Sequence, residues 1–90
     1  MSTEKGKNLC HILTVIDGTT EEVIDVIEIK NFDLVGFQEQ FDVSPESDPE
    51  MLERYGIGPD DAGFVCRALG KEIPFEFTRY AYFIEAVHKQ

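Results

Sequence analysis

The chain predicts an α+β domain built on an antiparallel sheet, and three stretches carry that prediction. They are a pair of Val/Ile-rich runs at residues 9–30 joined by a turn signal, a segment at 58–70 with both helix ends specified, and an aromatic, branched run at 79–87. The economical arrangement has element order ββ, α, α, β: a three-stranded antiparallel sheet, made of a hairpin plus a C-terminal strand, with two or three short helices packed on one face. Ninety residues supply one core and too little chain for two, so the whole length reads as a single unit with residues 1–8 as a flexible N-terminus.

The first arm, LCHILTVI from Leu9 to Ile16, is apolar and β-branched and runs into Asp17-Gly18-Thr19-Thr20. Asp-Gly is the turn dipeptide of tight hairpins, so a positive φ is expected at Gly18. The second arm, EEVIDVIEIK from Glu21 to Lys30, holds five Val and Ile residues in imperfect alternation, which predicts a strand buried at least partly on both sides, with a bulge or a central position. Asn31 and Asp33 can cap a helix whose Leu34, Phe37 and Phe41 recur at i, i+3 and i+7. Residues 42–50, DVSPESDPE, read as an exposed loop, after which Asp48 and Pro49 can open a single turn through Met51 and Leu52. The next helix starts at Gly58 or Pro59 with Asp60 and Asp61 at its positive end, buries a stripe of Ala62, Val65, Cys66 and Leu69, and stops at Gly70. Glu72 to Phe77 is a connector broken by Pro74, and Arg79 to Val87 is the third strand.

Eighteen acidic against eight basic side chains leave a formal net charge of -10. Such a field repels nucleic-acid phosphates and anionic lipid headgroups, which argues against direct binding to either and implies a basic partner, although an acidic surface also serves plain solubility. No apolar run resembles a secretory leader or a bilayer span, which predicts a cytoplasmic protein. Cys10 and Cys66 lack CxxC spacing and read as buried free thiols.

No catalytic constellation emerges. His11 and His88 form no HxxxH or HxH pair, so no metal site is expected; Cys10 and His11 are strand neighbours that point to opposite faces, and His11 reads as a structural, hydrogen-bonded residue. No GxSxG elbow or phosphate-binding glycine loop occurs, so neither an enzyme nor a cofactor is expected. The window Asp42 to Glu53 places acids at positions 1, 5, 7, 9 and 12 in the manner of a calcium loop, but Ser47 stands where glycine is needed and Pro45 and Pro49 stiffen the backbone. What remains is concentration. Between Asp42 and Asp61 lie seven carboxylates (Asp42, Glu46, Asp48, Glu50, Glu53, Asp60 and Asp61) and one base, Arg54. With Tyr55 as an aromatic anchor, this adaptable segment is the candidate partner-binding surface.

The hairpin with Asp17-Gly18, the run Ser47-Asp48-Pro49-Glu50-Met51-Leu52 leading to Tyr55-Gly56-Ile57, and the closing Tyr82-Phe83-Ile84-Glu85-Ala86 together resemble small bacterial immunity-type proteins. These accompany polymorphic toxins, including those of contact-dependent growth inhibition, and neutralise the toxic domain of a secreted effector. The resemblance spans most of the chain through short motifs that mark a fold more than a site. It implies a cognate toxin domain as partner, for which a nuclease with a basic cleft would suit an acidic inhibitor. The alternative is an acidic regulatory or adaptor module that binds a basic host protein.

Overall fold

Two Val/Ile-rich runs joined by a short turn satisfy each other's backbone polar groups while pooling their apolar side chains, and the expected hairpin forms. In the computed structural model, which describes residues 9–88, strand β1 (Leu9–Asp17) pairs antiparallel with β2 (Val23–Ile29). Helix α1 (Leu34–Gln40), β3 (Tyr55–Gly56), a 3-10 turn (Pro59–Asp61), α2 (Ala62–Leu69) and β4 (Tyr80–His88) follow. The antiparallel sheet has the order β2-β1-β4-β3. The α+β class is as the sequence predicts, and the sheet gains a fourth strand: Tyr55–Gly56 pairs with Ile84 and Phe83, a two-residue element too short to leave a periodic signal. The N-terminus expected to be flexible, residues 1–8, lies outside the described residues.

The helices cover one face only. Leu13 and Val15 of β1, Ile29 of β2, and Tyr82 and Ile84 of β4 share a core with Phe37 of α1, Val65 of α2, Met51 and Ile57. Aromatic rings extend this core: Phe32 stacks between His11 and Phe37, Phe64 meets Phe37 edge-on, and Phe75 and Phe77 pack against Tyr82. Asp33 caps α1 by accepting from the Gly36 amide, and Gly70, at φ 75°, ends α2 as anticipated. The buried stripe of α2 is rotated from its expected position. Val65 is fully buried with Phe64, Ala68 and Leu69 packed around the core, whereas Cys66 turns aside to accept the Ile73 amide at 3.4 Å. Both cysteines are unbridged and half-buried rather than buried.

Two further expectations are corrected. The hairpin turn is longer than a tight Asp-Gly turn: Asp17 bonds Glu22 and Glu21 through its backbone, its carboxylate accepts from Thr19 and Thr20, and the left-handed residue is Glu21 at φ 63°. Gly18 has no positive φ; it is required because a Cβ there would lie 2.9 Å from the Arg79 carbonyl oxygen, to which the Gly18 amide donates. Nor is β2 buried on both sides. It is an edge strand, with its register shifted opposite Val15 and Ile16, and Val23, Ile24 and Val26 are 58%, 48% and 52% exposed. Among the described residues no helix is long and apolar enough to cross a membrane.

Candidate functional site

The acidic segment begins where α1 stops. Asp42 takes the left-handed conformation (φ 56°) just past the helix, its amide donating to Glu39 and the Val43 amide to Gln38, a helix stop in which Asp occupies the usual glycine place. The Ser44 carbonyl then accepts from Ser47 and Asp48, turning the chain back toward the sheet. The turn expected through Met51 and Leu52 is a single bend without helix, closed by the Met51 amide on the Asp48 carbonyl, with Met51 itself left-handed (φ 50°) and fully buried.

Three ties hold this loop, which is therefore less adaptable than its composition suggests. Gln38, itself buried, donates to the Pro49 carbonyl. The Nε2–H of His11, buried on the covered face of β1, donates to the carbonyls of Glu50 and Met51 at 3.1 Å each, the structural role expected of it. Asp48, only 8% exposed, accepts from the Leu52 amide (2.8 Å), the Glu53 amide (3.0 Å) and the Tyr55 hydroxyl. Burial alone would raise the Asp48 carboxyl, but the Tyr55 hydroxyl, the two amides and nearby His11 outweigh it and hold the group below the ordinary value. The Tyr55 phenol is pushed up to about 12, by burial first and then by the bond to Asp48 and its charge.

The eight residues singled out from the sequence thus divide. Asp48 and Tyr55 bond each other inside the loop, with Tyr55 packed against the core. Asp61 receives the Gln40 side-chain amide at 2.8 Å and the Gly58 amide at 2.9 Å, joining α1 to the start of α2. Asp42, Glu46, Glu50, Glu53 and Asp60 are exposed. Among the described residues no group of three or more His, Cys, Asp or Glu side chains is placed to hold a metal ion.

A second surface, which the eight residues singled out from the sequence do not include, is the sheet face opposite the helices. Alternation along β1 sends Ile12, Thr14 and Ile16 there, and strand register sets three rows across it: Glu28, Ile12, Glu85; Val26, Thr14, Phe83, Gly56; and Val23, Ile16, Ala81. Arg54, next to the edge strand β3, lies 4.0 Å from the Phe83 ring centre and 3.6 Å from the Glu85 carboxylate. The available signal was that β1, β2 and β4 are apolar at both parities, more than one covered face can use.

Fold and surface together define a small acidic α+β domain with a half-covered antiparallel sheet and a tied, carboxylate-bearing loop. The chain belongs to the family described as Domain of unknown function (DUF7683), which it matches over residues 10–85. No curated protein and no solved structure matches it.

Proposed function

We propose that this domain works by binding a basic protein, as a cytoplasmic immunity-type inhibitor that neutralises a toxin domain such as a nuclease with a basic cleft. It acts without turnover of its own. The observation that supports this reading is the presentation of Asp42, Glu46, Glu50 and Glu53 on a loop already tied by Asp48, His11 and Gln38. A loop ordered before contact has less conformational entropy to lose on docking, and a single-sign field speeds encounter with a partner of opposite sign.

The test is kinetic. Glu46, Glu50 and Glu53 are changed together to Lys, with Asp48 left intact because its carboxylate holds the loop. Association is measured against the purified protein recovered with the tagged chain from its native cell, at low and high salt. Wild type associates at least about tenfold more slowly at high salt, the triple variant is already slow at low salt, and the melting temperatures agree. The bound partner also loses its toxic activity. Salt-independent, equal rates for both proteins would remove the acidic surface from the interface, and a partner that keeps its activity when bound would make the domain an adaptor.

A further inference from the structure

We infer that the open face of the sheet seats the apolar anchors of the partner, and that its occupant is a segment of a basic protein carrying Lys or Arg beside apolar side chains. This rests on the basic-partner reading and names where such a partner docks.

An antiparallel sheet with one face in water ordinarily alternates apolar-in with polar-out, so its outer face is polar. Here the outer face carries Ile12, Ile16, Val23, Val26, Ala81 and Phe83, and Val23 and Val26 are more than half exposed. At its centre stands Thr14, 4% exposed, whose Oγ1 has no hydrogen-bond partner among the described residues.

The charges around the apolar rows favour one kind of occupant. Glu28 and Glu85 flank Ile12 from both sides, and Arg54 is engaged with Glu85 and the Phe83 ring. At the hairpin end the face holds a hollow of about 410 Å³, lined by apolar Ile16, Ala81 and Phe83 and by charged Asp17, Glu21 and Arg54. Backbone hydrogen bonds from Thr20 and Thr19 hold the Asp17 carboxyl below its ordinary value. With Arg54 turned to Glu85 at 3.6 Å, such a hollow fits a Lys or Arg side chain, the aliphatic stem against Ile16, Ala81 and Phe83 and the cation toward Asp17 and Glu21. A second copy of this chain fits less well, because it brings the same net charge of -10 and sets like carboxylates against one another.

The experiment maps backbone amide shifts of the labelled full chain with three probes: a soluble peptide alternating Lys and Val, one alternating Lys and Ser, and one alternating Glu and Val. Sedimentation of the chain alone runs alongside. The Lys/Val peptide shifts the amides of Ile12, Ile16, Glu21, Ala81 and Phe83, the Lys/Ser peptide shifts only those of the acidic segment, and the Glu/Val peptide shifts neither. V23K/V26K weakens the Lys/Val peptide at least about tenfold with its melting temperature unchanged, and E21K does so through the hollow alone. Lys/Val shifts confined to residues 42–61 overturn the open-face site while leaving the basic-partner reading intact. Silence toward both cationic peptides overturns the two together. A dimer of the unliganded chain that broadens the open-face amides assigns this face to a second copy and overturns the inference.

Discussion

On one side of β1, Leu13 and Val15 lie in a core shared with Phe37 of α1 and Val65 of α2; on the other, Ile12 and Ile16 look outward beside Val23, Val26 and Phe83. The side chains are of one chemistry, but only one set is covered by helices. The period of two along a strand states which residues share a face, and an excess of apolar residues at both parities states that two faces seek cover. It does not state which face the chain covers for itself. The face left over is the more informative about function, because apolar area kept in water has to be explained by something other than folding.

Removing apolar atoms from the covered face should have the largest effect. Leu13→Ala, at a fully buried position, is expected to cost about 2–5 kcal/mol in denaturant unfolding. A loss comparable to that of an exposed β2 substitution would erase the distinction between the faces.

The second effect sits where the acidic loop meets the core. Asp48→Asn is expected to cost about 1.5–3 kcal/mol at neutral pH, because a charged acceptor of three hydrogen bonds is replaced by a neutral one. Since the folded-state carboxyl lies below its ordinary value of 3.8, its contribution is complete above that value and is lost as pH falls through the folded-state value. Unfolding curves of wild type and variant should therefore converge only in acid, below about pH 4. Convergence near neutrality would break the assignment of Asp48 as an ionised tie.

The smallest effect belongs to the open face. Val26→Thr, half exposed on the edge strand, should shift stability by no more than about 0.5 kcal/mol. A loss of several kcal/mol would mean that this face is already covered in solution, which sedimentation of the same sample would reveal as self-association.

Much of the fold was legible in the residues. Two branched runs around Asp17-Gly18 made the hairpin visible, Asp33 and Gly70 marked helix ends, and Tyr80–His88 was expected as a strand within one residue at each end. The surface was less legible. Asp48, Tyr55 and Asp61 look in sequence like the carboxylates and aromatic ring around them, yet the structure turns them inward to bond partners, while Glu46, Glu50, Glu53 and Asp60 remain outside. Charge density predicted where acids gather, but it held no information on which of them would be consumed by the backbone.

What the sequence determined by itself is local. The Asp33 cap reaches an amide three residues on, and Gly70 ends α2 with bonds to carbonyls three and four residues back; such interactions are set by residue type and short spacing. Only the tertiary structure decided that Gly18 must clear the Arg79 carbonyl, that His11 meets carbonyls 39 and 40 residues away, and that β2 lies at an edge with Val23, Ile24 and Val26 in water and Ile29 in the core. The physical reason is that β-propensity and alternation describe one strand and its own side chains, whereas burial depends on what folds against that strand from elsewhere in the chain.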